Sequence, residues 1–293
     1  MNTQETKQYL LQRETIDPQA QPIIHYANSS AKLAPTAAYP QGFPSGLLGN
    51  QASSKDVASI VSFEALGRTW KSTEYLYMIG RWSTEDPANV AIQEDILSAS
   101  SGYVIKRYKQ PKHKRFTRPD FLDWRHEWML WVVWQKCLTS AGFRNLLLAT
   151  GDATIVEVVR LDPVWAAWPD ENGCYVGANG MGKILMLCRE ALRTNSAPAI
   201  DTDKLNAAGI YMRRRGLRAV NMTEVATLDA VFGEQGADLF AANTAKGGRK
   251  MQEGDNLLLS FGAKRLRSIQ AHFQTNDLAI DNFFIINLTY GFL

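Results

Sequence analysis

Residues 119–137 read P-D-F-L-D-W-R-H-E-W-M-L-W-V-V-W-Q-K-C. Asp123, Arg125 and Glu127 fall early, and the later turns are apolar on nearly every face. That pattern predicts a helix buried at the centre of the protein rather than one lying on its surface. Pro119 and Asp120 mark its start. A helix of this kind must be covered all round, and the chain has the material to do so. It has 293 residues, 45% of them hydrophobic, enough for one large domain or a domain with an appendage.

Working outward, Ser72-Thr73-Glu74 reads as a helix start, with Ser72 or Thr73 as cap, running into Y-L-Y-M-I-G-R-W. Asp86-Pro87 opens a further helix to about residue 98. Residues 57–63 read as a strand and Gly67 as a turn. Residues 23–26 read as a short strand after a polar lead-in over 1–22, and the Ala, Pro, Gly and Ser content of 28–54 predicts a long loop. Downstream, 143–148 continue helical and 154–159 are β-branched and strand-like. Asp162-Pro163 makes a turn, 173–177 a loop, and 181–193 a helix. A break at 195–198 separates the tail, where helical pieces are expected at 205–215 and 223–240 and strand-like runs at 257–261 and 283–290. Three segments result: a lead-in over 1–22, a main domain over 23–196 and a C-terminal extension over 199–293 that serves as a packing or nucleic-acid arm.

Composition removes several function classes. No apolar stretch is long enough and free enough of charge to span a bilayer, and 1–13 lack the apolar core of a signal peptide, which points to the cytoplasm and away from membranes. Cys137, Cys174 and Cys188 form no metal-ligand spacing and no disulfide framework, so they are expected to be reduced and buried. His25, His113, His126 and His272 are scattered without zinc-type spacing, and no serine sits in a nucleophile elbow. Neither a metal nor a cofactor is implied. The net charge of +3 is too small for a globally basic surface. Charge is instead local: over 106–118, Lys106, Arg107, Lys109, Lys112, Lys114, Arg115 and Arg118 cluster with Tyr108 and Phe116 interleaved. This is the composition of a surface that meets phosphate or, equally, of a solvated loop. In the tail, Arg213, Arg214, Arg215 and Arg218, and Lys264, Arg265 and Arg267, form smaller basic groups.

Three constellations carry candidate chemistry. Residues 177–183, G-A-N-G-M-G-K, have the spacing of a phosphate loop ahead of a helix, but Ile184 stands where a triphosphatase needs Ser or Thr for magnesium. What survives is a glycine-rich turn whose backbone can approach a phosphate or ribose. Glu74 opens its helix amid Trp70, Tyr75, Tyr77 and Trp82, a setting suited to acid–base work. Asp162-Pro-Val-Trp165 follows a strand, where polar groups often face a cleft and Trp165 can stack on a base.

In order along the chain these pieces resemble the NADAR, or YbiA-like, family, named for its association with NAD and ADP-ribose. Residues 67–75, G-R-T-W-K-S-T-E-Y, look like its G-x-x-W-P-T-x-E-H element. Residues 129–165 follow its M-x6-K-F, L-L-x-T-G, L-V-E and D-x-x-W-G order, and 177–189 look like its G-x-N-x-L-G-x-x-L-M-x-x-R closing helix. The resemblance implies an α+β, predominantly α-helical domain. By position it makes Glu74 the active-site carboxylate, joined by Asp162, and Trp165 the stacking tryptophan. A second tryptophan falls on Phe121 or Trp124, depending on register. Asn179 and Gly182 are placed to bind ribose hydroxyls or phosphate, and Lys136 occupies the lysine of M-x6-K-F. The family histidine is Tyr75 here, its lysine one helical face further on is Arg81, and its glycine after the motif tryptophan is Ala166. Arginine cannot act as a nucleophile on a ribose aldehyde, because guanidinium stays protonated, but it can pair with phosphate. The activity implied is cleavage of a ribose N-glycosidic bond, with ADP-ribosylated guanine in nucleic acid as substrate. The alternatives are small riboside phosphates of riboflavin synthesis, or a module that binds ADP-ribose with little turnover.

Overall fold

The computed structural model describes residues 1–26, 45–51, 58–100, 111–213 and 217–219. In chain order the elements are α1 (Thr3–Leu11), β1 (Glu14–Ile16), β2 (Ile23–Tyr26), a 3-10 turn (Ser45–Leu48), α2 (Ala58–Val61), β3 (Phe63–Ala65), β4 (Arg68–Trp70), α3 (Thr73–Arg81), α4 (Pro87–Ser98) and α5 (Pro111–Lys114). There follow α6 (Phe121–Thr139), α7 (Ala141–Leu148), β5 (Thr154–Glu157), β6 (Ala167–Pro169), β7 (Tyr175–Gly177), α8 (Gly180–Arg193), α9 (Thr202–Ala207), β8 (Tyr211–Arg213) and β9 (Leu217–Ala219). The chain is mixed α+β and mostly helical. Among the described residues no helix is long and apolar enough to cross a membrane.

α6 is the axis of the core, as its sequence predicts. Trp124, Trp128, Trp131 and Trp134 are all buried, and Trp128 stacks on Trp131 at 5.2 Å with planes 5° apart. α3 lies against it: Trp128 Nε1 donates to the Tyr77 carbonyl at 3.1 Å, and Gly80 leaves the room the indole occupies, since a Cβ there would come within 2.3 Å of Trp128 Nε1. α8 covers another flank of α6 and packs on β5. β2 and β5 pair in parallel, β1–β7–β6 form an antiparallel sheet, and β3 and β4 form a hairpin. Leu66 and Gly67 turn that hairpin, both at positive φ, the geometry a two-residue loop needs to match strand twist.

Several expectations are revised. Residues 1–22 are not a lead-in. α1 carries a capping box, in which the Asn2 side chain accepts from Glu5 N and Glu5 Oε2 from Asn2 N at 2.9 Å each, and β1 pairs with β7. Residues 58–61 are helical, not a strand, with Ile60 and Val61 buried; a short apolar run has no periodicity to separate the two. Residues 175–177 are a strand rather than loop, held on both edges by β1 and β6. The helix expected over 205–215 ends near Ala208, where Gly209 at φ +58 turns the chain into β8. Nor does the core stop at 195–198. Ile200, Leu205, Ile210 and Met212 join the main hydrophobic cluster, and Arg118 Nη1 donates to the Ser83 and Gly209 carbonyls. The readings at 223–240, 257–261 and 283–290 lie outside the described residues.

Lys136 is the anomaly of this core. It is 1% exposed, its ammonium lies 4.1 Å from the Phe143 ring centroid, and burial pulls its pKa down to about 7, with Cys137 opposing weakly. Because the folded pKa lies below the unfolded value, the unfolded chain binds the extra proton between about pH 7 and 10.5. The penalty is therefore complete below pH 7 and fades as pH rises. Lys136→Met is expected to raise stability at pH 6.5 by on the order of a few kcal/mol, with the gain shrinking towards pH 10. Paired urea melts of both proteins across that range check it; a pH-independent difference would refute the burial penalty.

Candidate active site

The first turn of α3 is set by Asn50, which carries no motif signal. Its carbonyl accepts from Glu74 N at 2.9 Å, its Oδ1 accepts from the Thr73 hydroxyl at 2.8 Å, and its amide reaches Met181 Sδ at 3.0 Å and Met129 Sδ at 3.5 Å. One side chain thus ties the start of α3 to α6 and α8. Ser72 is the N-cap residue, yet its hydroxyl makes no capping bond. Glu74 is buried in this turn.

One turn on, the Tyr77 ring meets Phe121 at 5.6 Å and Trp165 edge-on at 5.8 Å. Burial raises the pKa of its phenol. Arg81 lowers it, Glu74 raises it, and Arg125 and Asp162 act in the same two senses. Four charged side chains, two of each sign, therefore stand within electrostatic reach of one buried phenol. The Arg81 guanidinium lies 5.3 Å from the Phe121 ring and 5.7 Å from Trp82. The Nε atoms of Arg81 and Arg125 are buried and have no hydrogen-bond partner among the described residues. Phe121 and Trp124 hold different positions. Phe121 meets Tyr77 and Arg81, whereas Trp124 sits behind it, edge-on at 5.1 Å, under Arg118.

Trp165 is half-buried and held by its turn. Asp162 Oδ1 accepts from Val164 N at 3.2 Å and Trp165 N at 3.0 Å, so this carboxylate shapes the loop that presents the indole. The carbonyls of that loop then cap α8: Ala166 O accepts from Asn179 N, Val164 O from Gly180 N and Trp165 O from Met181 N.

Those bonds revise the glycine-rich turn. The amides expected to face a phosphate are taken up by the 164–166 carbonyls. Lys183 is buried, donating to Tyr9 O at 3.0 Å and Gln12 O at 2.6 Å and lying 3.5 Å from Glu14. Asn179, fully buried at φ +49, spends its side chain on β5: its amide donates to Ile155 O at 2.9 Å and its oxygen accepts from Glu157 N at 3.1 Å. At Gly182 a Cβ would come within 2.1 Å of Ile155 O. Asn179 and Gly182 thus join α8 to β5. Lys136 is likewise away from the Tyr77 cluster, two helical turns past Met129 and against Phe143.

Lys112, Lys114 and Arg115 are exposed. Their segment is fixed beside Arg81, since Trp82 Nε1 donates to His113 O at 3.3 Å and Arg118 N to Arg81 O at 3.1 Å. Arg118 itself is structural, paired with Asp120 at 2.6 Å. Lys106, Arg107 and Lys109 lie outside the described residues. His126, which no motif marks, packs on Trp165 with ring centroids 4.7 Å apart.

A helical α+β domain with a carboxylate, two guanidinium groups and aromatic walls at the junction of α3 and α6 is the class these observations define. Residues 40–193 match the family described as NADAR domain, more than half of the chain, and the chain belongs to that family. It is 30% identical over 148 residues to a riboflavin biosynthesis protein of Vibrio vulnificus, covering 49% of this chain and 38% of that protein. It is 26% identical over 146 residues to an N-glycosidase of Nostoc punctiforme, covering 48% and 81% of the two chains. With the N-glycosidase YbiA of Escherichia coli the identity is 29% over 126 residues, 43% and 72% of the two chains. The NMR structure of E. coli YbiA superposes with a TM-score of 0.43 and 23% identity, over 59% of this chain and 86% of that one.

If Asn179 serves the fold, Asn179→Ala removes two buried bonds and places a non-glycine residue at positive φ without the side chain that tolerates it. The expected loss is about 2 kcal/mol of stability. Thermal melts of both proteins check it; native stability in Asn179→Ala would refute the structural role.

Proposed function

We propose that this chain is an N-glycosidase that hydrolyses a ribose N-glycosidic bond, and that its substrate is ADP-ribose attached to guanine in DNA or RNA. The observation that carries the reading is the convergence of Glu74, Arg81, Arg125 and Asp162 on Tyr77, between Phe121 and Trp165. Breaking an N-glycosidic bond develops positive charge at the ribose C1 and ring oxygen. A carboxylate beside them stabilises that charge and orients the attacking water. Glu74 is assigned this role. Arg81 and Arg125, with buried Nε atoms open to a further acceptor, suit an anionic substrate. Trp165 offers a face for a base, and Asp162 fixes the angle at which it does so. The names of two relatives, both N-glycosidases, support the reaction class. Exposed Lys112, Lys114 and Arg115 beside Arg81 favour a polynucleotide carrier.

The riboflavin biosynthesis relative favours a second reading, hydrolysis of small phosphoribosyl intermediates. The two part on salt: cleavage on a nucleic acid weakens as salt rises, cleavage of a small riboside phosphate hardly changes. A third outcome, binding without turnover, would follow if arginine at 81 cannot stand in for the family lysine.

The test is release of ADP-ribose from guanine-ADP-ribosylated single-stranded DNA, from the modified nucleoside and from phosphoribosyl riboflavin intermediates. Glu74→Gln, matched for folding by circular dichroism, is expected to lose at least about 100-fold in kcat with native affinity. Retained activity in Glu74→Gln would refute the carboxylate's role. No release from any of the three substrates, with ADP-ribose still bound, would leave a binding module.

A further inference from the structure

His126 lies on α6 beside Arg125 and is 5% exposed. Its ring covers part of Trp165, the planes 40° apart, and its Nε2 is buried with no hydrogen-bond partner among the described residues. Buried polar atoms are normally paired, because an unpaired one forfeits its hydration without return. The charges that face this ring come from three segments: Arg125 of α6, Lys204 of α9 and Lys7 of α1. Lys204 also pairs with Glu127 at 3.1 Å and donates to the Asp123 carbonyl, and Asp162, in the turn that carries Trp165, has Oδ1 on backbone amides. Burial first, and then the three cations, pull the imidazole down to about 4, so it is neutral at physiological pH. A neutral ring with an open nitrogen, ringed by positive charge and packed on the stacking tryptophan, is arranged for an anion.

We propose that His126 Nε2 donates a hydrogen bond to a phosphate oxygen of the ligand that seats against Trp165. This rests on the glycosidase reading for its choice of ligand and deepens it, naming a phosphate ester as the part recognised. The substrates of both enzymatic readings carry one, as a diphosphate in ADP-ribose or as a lone phosphate in a phosphoribosyl compound. A bound phosphate offsets Arg125, Lys204 and Lys7 and favours the imidazolium, so binding takes up a proton on the acid side of neutrality.

The native chain is titrated with ADP-ribose, ribose 5-phosphate and adenosine while the ¹⁵N resonances of the His126 imidazole are followed against pH. Free, the ring is expected to titrate near 4. With a saturating phosphate ligand Nε2 shifts and the midpoint moves to higher pH; with adenosine neither happens. A response to ADP-ribose alone identifies the diphosphate, and a response to ribose 5-phosphate as well identifies a lone phosphate. By calorimetry, His126→Phe keeps a ring against Trp165 and removes the donor, and is expected to bind the responding ligand about tenfold more weakly, while His126→Gln recovers most of the loss. Native affinity in His126→Phe, resonances unmoved at saturation, or no binding of either phosphate ligand by the native chain overturns the proposal. If His126→Phe does not fold, the native titration decides alone. Binding with the expected shifts but no release of ADP-ribose keeps His126 in place and removes the glycosidase reading.

Discussion

A helix that is apolar on nearly every side cannot rest on a surface. α6 buries four tryptophans along 19 residues, and the cost of leaving any flank in water forces α3, α7 and α8 to close round it. The indoles set the distances. Trp128 takes the space at Gly80 and hydrogen-bonds the Tyr77 carbonyl, so its position fixes the rotation of α3 about its own axis. Glu74, Tyr77 and Arg81, at spacings of three and four, then share one face of α3, the face turned to Phe121 and Trp165. The site is thus a by-product of core packing: the same contacts that exclude water from α6 aim the charged residues.

The opposite wall is assembled differently. Trp165 stands on a loop, and loops are exact only when their backbone groups are spoken for. Here Asp162 holds the amides of 164 and 165, the carbonyls of 164–166 are capped by the N-terminus of α8, and α8 is in turn pinned to β5 through Asn179. Motif positions that look like ligand contacts in a linear sequence therefore serve the fold, by fixing the indole. Asn50 plays the matching part for α3, which has no capping bond of its own.

How much of this is legible in the chain follows from the range over which each signal acts. α3, α4, α6 and α8 announce themselves because 3.6-residue periodicity accumulates over many residues. The strand β7 is three residues long, and one of the two strands that hold it, β1, lies more than 150 positions away, so its own local pattern does not reveal it. The same holds at the site. Glu74, Trp165 and Arg81 carry local context and family spacing; Asn50 and His126 carry neither, because what distinguishes them is what they touch. The glycine-rich turn misleads for the converse reason. Its spacing matches a phosphate loop, but spacing does not say whether the amides are already bonded, and these are.

The three departures from the family pattern do not weigh equally. Tyr75, where the resemblance expects histidine, sends its hydroxyl to the Ala99 carbonyl at 3.0 Å and so ties α3 to the end of α4. Ala166, in place of glycine, is buried, and its carbonyl is one of the caps of α8. Both are absorbed by packing and neither reaches the Tyr77 cluster. Arg81 is different, because it stands at the cluster itself, with a buried Nε and two aromatic faces against its guanidinium. A lysine there could lose its proton and attack a carbon; an arginine holds its charge at every working pH and is confined to binding. Two buried amines with depressed pKa values, Lys136 and Lys183, are spent elsewhere, the first against Phe143 and the second on the Tyr9 and Gln12 carbonyls. On the proposed reading, turnover therefore rests on the Glu74 carboxylate and an oriented water, and fixed positive charge is left to bind the substrate. That reading assigns turnover to Glu74 and leaves affinity to Arg81, Arg125 and His126.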